Sequence, residues 1–221
     1  LLEPIDFDSI SATRQRLQTY FDAVGGAVSG QKNPIQLKEL ISTLRTMSEP
    51  LAAHLRQQEW LRDDDGRGWF NGYYDDHGRA VAGVRPDGVR MTLTGQVFAL
   101  MGGIAEEAQV DAVLAAANHY LHEPAIGGYR LNTDFGEVKL DLGRAFGYAF
   151  GHKENGAMFS HMAVMFANAL YRRGRAQAGW QTLAEIYRQS QDFEVSRMYP
   201  GIPEYFSERG RGMYPWLTGS A

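Results

Sequence analysis

Apolar residues recur at helical spacing along most of this chain. Ile10, Leu17, Tyr20, Phe21 and Val24 share one face of a segment that Asp8 or Ser9 can cap and Gly25-Gly26 ends, which predicts a helix over 10–24. Asn33 is a good N-cap with Pro34 at the first helical position, and Ile35, Leu37, Leu40, Ile41 and Leu44 follow in helical register. A further segment, 50–61, carries Leu51, Leu55, Trp60 and Leu61, with Glu49-Pro50 dividing or kinking the pair. Thr92 or Thr94 opens a helix over 96–104, and three more patterns cover 106–121, 158–172 and 175–189.

Strand signals are few. Residues 69–84 predict one or two short strands or an irregular hairpin turning at Asp76-His77-Gly78, and 85–90 form another turn. Long loops fill 125–157 and 190–216, a length that in a compact domain usually carries function. Helices thus come in pairs joined by short turns, with long loops between pairs. The expected class is all-α: helical hairpins, with short irregular strands in long loops, in a single partial domain over 1–221. If such hairpins close into a ring, the long loops gather at one end around a cleft.

Composition narrows the function classes. With 44% hydrophobic and 22% charged residues, 221 positions suffice to bury a core. A formal net charge of -4 gives no bulk attraction to nucleic acid or to an anionic membrane, so neither is an expected partner. No apolar run approaches a membrane span, and no signal peptide is read. The absence of cysteine excludes disulfides and thiolate chemistry and fits a reducing, cytoplasmic location. The acidic run in Arg62–Gly68 lacks the alternating acids of a calcium loop and reads as a solvated turn, so no metal is expected. Aromatics are abundant in glycine-bearing loops, as in Trp69-Phe70-Asn71-Gly72-Tyr73-Tyr74, where they suit the flat faces of sugar rings or serve as plugs over a helical core. The chain begins at Leu1 and its last residues, Leu217-Thr218-Gly219-Ser220-Ala221, read as the opening of another helix, so a piece of a longer polypeptide is expected, with apolar helix faces left uncovered.

Two loop-to-helix junctions concentrate the chemistry. The run Gly151-His152-Lys153-Glu154-Asn155-Gly156-Ala157-Met158-Phe159-Ser160-His161 places Lys, Glu, Asn and two His where a helix begins. Trp216-Leu217-Thr218-Gly219-Ser220 offers a hydroxyl, a glycine and the N–H groups of a starting helix. Together they hold the donors and the cation that phosphate binding requires, although Thr-Gly-Ser is equally an ordinary helix cap.

In wording, Gly151–Met162, Tyr199–Phe206 and Gly210–Ala221 resemble the catalytic domain of glycoside hydrolase family 94, inverting phosphorylases of β-linked glucosides, and look closest to its 1,2-β-oligoglucan branch. The resemblance covers about 55–221 and includes Gly68-Trp69-Phe70. It implies an (α/α)6 barrel of helical hairpins and cleavage of β-glucooligosaccharides by inorganic phosphate, with release of α-glucose 1-phosphate and no cofactor. It assigns His161, Thr218 and Gly219 to phosphate, and Lys153, Glu154, Tyr148 and Glu208 to sugar. The family's general acid is an aspartate in a tryptophan-bearing motif that this sequence lacks; that acid is expected from an upstream segment, and the rest of the catalytic domain is an expected partner. The family often forms homodimers. Two other readings stand beside it: a noncatalytic helical carbohydrate-binding module without the acid, and a helical-repeat interaction protein.

Overall fold

The computed structural model describes residues 9–27, 29–136, 139–198 and 201–214. The chain divides into two compact units, Leu1–Ala53 and His54–Ala221. In the first unit, α1 (Ile10–Val24) starts where the Ser9 hydroxyl accepts from the Ala12 N–H at 3.2 Å and ends as the Gly25 N–H donates to the Phe21 carbonyl at 2.8 Å. Both ends fall where the pattern put them. The second helix, α2 (Leu37–Gln58), begins beyond Asn33-Pro34, so that pair does not cap it. It also runs through Pro50 as one element. Proline removes one backbone donor, but Leu51-Ala52-Ala53 beyond it are strong helix formers. Neither helix buries a residue, and Leu17, Tyr20, Phe21, Leu37 and Leu44 are exposed.

The first hairpin of the second unit joins β1 (Trp60–Arg62) to β2 (Gly68–Phe70). Trp60 and Leu61 therefore leave the helix in which their spacing placed them. Long-range contacts decide this: the Trp60 ring lies against Gly68, where any Cβ would strike it, and 4.8 Å from the Phe70 ring. Asp63 folds the turn by accepting from the N–H groups of Asp65 and Arg67 at 3.0 and 2.9 Å and from Arg67 Nε at 2.7 Å. A second hairpin joins β3 (Gly83–Arg85) to β4 (Gly88–Arg90).

Two helical hairpins follow. The first pairs α3 (Leu93–Met101) with α4 (Glu107–Tyr120), the latter opened by a reciprocal capping box between Glu106 and Gln109. Next come β5 (His122–Glu123) and β6 (Gly128–Tyr129), which pair, and 3₁₀ turns at Leu140–Leu142 and Arg144–Gly147. Then β7 (Met158–Phe159) leads into α5 (Ser160–Arg172), which pairs with α6 (Ala176–Gln191). A short α7 (Phe193–Ser196) precedes β8 (Tyr205–Phe206) and β9 (Gly212–Met213), which extend β7 into a three-stranded antiparallel sheet. The unit is thus helical with small antiparallel sheets, and its main core gathers Trp69, Met91, Leu93, Val97, Val110, Val113, Leu121, Phe166 and Leu170.

Two polar groups inside this core fix the segment 70–74. Gln96 is fully buried; its Oε1 accepts from the Phe70 N–H at 2.8 Å, and its Nε2 donates to the carbonyls of Phe70 and Thr92, both at 2.9 Å. Buried Glu59 accepts from Asn71 Nδ2 at 2.9 Å and from the Tyr74 hydroxyl at 2.6 Å. Burial, and then the Glu59 carboxylate, push the Tyr74 phenol up to about 12.

Gln96→Leu leaves the Phe70 N–H and C=O buried and unpaired, and should lower stability by about 3 kcal/mol in urea unfolding. Tyr74 holds its proton more tightly folded than unfolded. Its contribution to stability is therefore complete below the ordinary tyrosine value of 10.0 and is lost as pH rises toward about 12. Tyr74→Phe should flatten that alkaline decline when urea midpoints are measured against pH.

Candidate functional site

A cavity of about 340 Å3 lies in the second unit where α3, α5 and the long loop meet. Tyr73, Phe146, Phe159, Leu131 and Met162 give it apolar walls, and Thr92, Thr94, Asn132, Glu154 and His161 bring polar atoms to it. Its rim is tight on one side: a Cβ on Gly72 would lie 2.9 Å from the Gly95 Cα, so the irregular segment after β2 meets the start of α3 backbone to backbone.

The loop carrying Lys153 to Gly156 is held by buried carboxamides. Asn132 Nδ2 donates to Asn155 Oδ1 at 2.9 Å, and Asn132 Oδ1 accepts from the Gly156 N–H at 2.8 Å. Asn155 Nδ2 donates to the Tyr148 carbonyl at 2.7 Å. Gly156 has φ +77 and presses against the Phe150 ring, which excludes any side chain there. Over the same ring, at 5.1 Å, lies the Arg130 guanidinium, which donates to the Gly156 carbonyl at 2.9 Å. Burial lowers the Arg130 pKa, and the carboxylates of Glu123, Glu208 and Asp134 oppose that shift.

Of the residues expected at the site, Glu154 and His161 line this cavity. His161 stands exposed in the first turn of α5, which Phe159 precedes without a side-chain cap. Glu154 Oε2 is buried with no hydrogen-bond partner, while its Oε1 lies 3.7 Å from Arg144. An acceptor in this state suits a hydroxyl donor from a ligand. Lys153 belongs to the same loop, with Tyr148 and Glu208 beside it, but none of the three lines the cavity. Lys153 takes φ +50, and its ammonium sits 3.7 Å from the centre of the Tyr214 ring and 5.7 Å from that of Tyr205. Its hydrogen bond with Tyr214 raises its pKa. The Tyr148 hydroxyl accepts from Arg144 Nε at 3.1 Å. Glu208 donates its backbone N–H to the Gly151 carbonyl at 2.9 Å and packs its side chain on the bare face of Gly151. Thr218 and Gly219 lie outside the described residues.

Sequence reasoning missed Tyr73, Thr94 and Asn132 as cavity residues. Tyr73 sits in the aromatic loop already matched to sugar rings, so a signal existed. Thr92 and Thr94 looked only like helix openers. Nothing near Asn132 marks it, because its partners are 23 and 24 residues away. Among the described residues no group of three or more His, Cys, Asp or Glu could hold a metal ion. The cavity combines ring-sized apolar walls with convergent acceptors and an imidazole at a helix start, an arrangement suited to a sugar beside an anion.

Residues 35–221 match the family model described as Glycosyl hydrolase 94 superfamily, catalytic domain. The chain is 27% identical to Solabiose phosphorylase of Paenibacillus borealis over 161 residues, 69% of this chain and 21% of that protein. It is 28% identical to N,N'-diacetylchitobiose phosphorylase of Vibrio proteolyticus over 183 residues, 77% of this chain and 22% of the relative. Over 148 residues it is 29% identical to 3-O-beta-D-glucopyranosyl-beta-D-glucuronide phosphorylase of Paenibacillus borealis, 64% of this chain and 17% of the relative. The chain therefore spans about a fifth of the length of these proteins.

Asn155→Ala should free the loop from Asn132 and Tyr148. Amide exchange at Gly151 and Gly156 is expected to accelerate at least tenfold, with the amides of α4 unchanged. Lys153 should titrate above the ordinary lysine value of 10.5, and its interaction with Tyr214 should stabilise below that pH and fade as pH rises past the raised value. Tyr214→Leu should return the titration toward 10.5, as read from the Cε carbon shift.

Proposed function

Because the chain belongs to the glycosyl hydrolase 94 superfamily, we propose that it is the C-terminal part of a catalytic domain that cleaves β-glucosidic bonds with inorganic phosphate. The observation that carries this reading is the meeting of Glu154 and His161, from a loop and from the helix after it, in one sugar-sized cavity. The hairpins α3–α4 and α5–α6 would then be two members of an (α/α)6 ring closed by the rest of the domain.

In this reaction a phosphate oxygen forms a bond to the anomeric carbon as the glycosidic C–O bond breaks on the opposite face. The leaving oxygen takes its proton from a carboxylic acid, which we assign to a segment outside this chain, and the product is α-glucose 1-phosphate with inversion. Phosphate is already nucleophilic, so the protein's task is to hold an anion at attack distance rather than to supply a base. His161 with Thr218 and Gly219 takes the phosphate, and Glu154, Lys153, Tyr148 and Glu208 position the sugar. The proposed substrate is a β-1,2-linked glucooligosaccharide, with no cofactor and with a homodimer as the assembly. Among the described residues no helix is long and apolar enough to cross a membrane.

The complete polypeptide containing this chain should release α-glucose 1-phosphate from β-1,2-glucooligosaccharides only when phosphate is supplied. His161→Gln should raise KM for phosphate and lower kcat/KM about a hundredfold, a loss on the order of 3 kcal/mol of transition-state stabilisation. Absence of phosphate-dependent release from every β-glucoside tested would end the proposal, and glucan binding without turnover would favour the noncatalytic module.

A further inference from the structure

A second cavity, also of about 340 Å3, is built from the β3–β4 hairpin, the turn at Asp75–Arg79 and the 3₁₀ turn after Lys139. Its apolar floor includes Val81 and Leu142, which pack in one buried cluster with Phe146 of the first cavity. Four cations line it, Arg79, Arg85, Arg90 and Lys139, against three carboxylates, Asp75, Asp87 and Asp141.

Two of the carboxylates are already engaged. Asp75 accepts from the N–H groups of His77 and Arg79 at 2.9 and 2.8 Å and from Arg79 Nε at 2.7 Å. Asp87 accepts from Arg90 at 2.9 Å, with Lys139 close enough to act on its charge. Arg85 is different. It donates to the carbonyls of Ala80 and Ala82 at 2.6 and 3.4 Å, and among the described ion pairs it forms none. Arg90 adds an unused donor: the Nε of its guanidinium, which covers the Phe135 ring at 5.3 Å, is buried without a hydrogen-bond partner. Such an atom ordinarily finds a partner, and a guanidinium fork matches carboxylate and phosphate oxygens. Asp141 remains as an exposed acceptor, and the floor offers a face for C–H groups.

We propose that this cavity binds an anionic monosaccharide, a sugar phosphate or a sugar acid: Arg85 and Arg90 take the anion, Asp141 accepts from ring hydroxyls, and Val81 and Leu142 support the ring. The site uses none of the residues assigned to phosphorolysis and stands independently of that reading.

Calorimetric titration of the complete polypeptide, wild type and His161→Gln, with glucose 6-phosphate, glucuronate, inorganic phosphate and glucose tests it, the comparison with inorganic phosphate being read in His161→Gln, where the proposed catalytic phosphate site is removed. Saturable binding of either anionic sugar is expected, at least tenfold tighter than glucose or inorganic phosphate; the phosphate ester alone, the carboxylate alone, or both would identify the anion. Binding should weaken at least tenfold in Arg85→Gln and remain in His161→Gln. Arg85 is exposed, so its variant should keep the wild-type melting temperature. Arg90→Gln gives a second reading where it folds. Failure of both sugars to bind, inorganic phosphate binding as tightly as they do, or binding lost in His161→Gln and kept in Arg85→Gln would overturn the proposal.

Discussion

Asn132 and Asn155 lie almost wholly inside the protein, 2.9 Å apart through their side-chain amides, and among the described residues each is satisfied by the other and by nearby backbone. Separating them would leave buried amides unpaired at about 1–3 kcal/mol each. The constraint reaches further because of where Asn132 sits. Leu131 accepts from the Leu93 N–H at 2.7 Å and donates to the Ala157 carbonyl at 3.0 Å, while Thr133 donates to the Met91 carbonyl at 3.0 Å. Residues 131–133 are therefore a brace between the start of α3 and the approach to α5. The cavity exists because these two helix starts are held together there, and the carboxamide pair sets the loop that carries Glu154 against that brace.

Much of the helical architecture could be read in advance. The turns of α3 to α6 each carry enough apolar residues at helical spacing that local pattern and tertiary packing agree. Trp60 shows where this fails. Its apolar neighbours continue the period of α2, yet the ring finds a better surface across the hairpin on Gly68 and Phe70, a contact no local pattern contains. Of the candidate cavity, two lining residues were legible in a similar way. His161 and Glu154 were recognisable from contiguous wording, because a loop-to-helix junction is a local object. Asn132 was not, since its role depends on partners far along the chain, and neither was the unpaired state of Glu154 Oε2, which depends on burial.

The distribution of charge separates the two cavities. Around the first, apart from Arg144 beside Glu154, cations are engaged with aromatic rings and carbonyls: Arg130 with Phe150 and Gly156, Lys153 with Tyr214. These contacts hold loops in place. Around the second, the guanidinium groups are engaged mainly with turn carboxylates and turn carbonyls, apart from the stacking of Arg90 on Phe135. The same residue types thus organise one site through aromatic faces and the other through ionic turns, with a small apolar cluster common to both.

The left-handed backbone at Lys153 carries an evolutionary implication. An unbranched cationic residue gains nothing from φ +50 and gives up roughly 1 kcal/mol relative to glycine there. Selection for folding alone would place glycine or asparagine at this corner. At Lys153 that backbone cost stands against the seating of the ammonium on the Tyr214 and Tyr205 rings, so replacement by glycine would relax the corner and abandon both contacts at once.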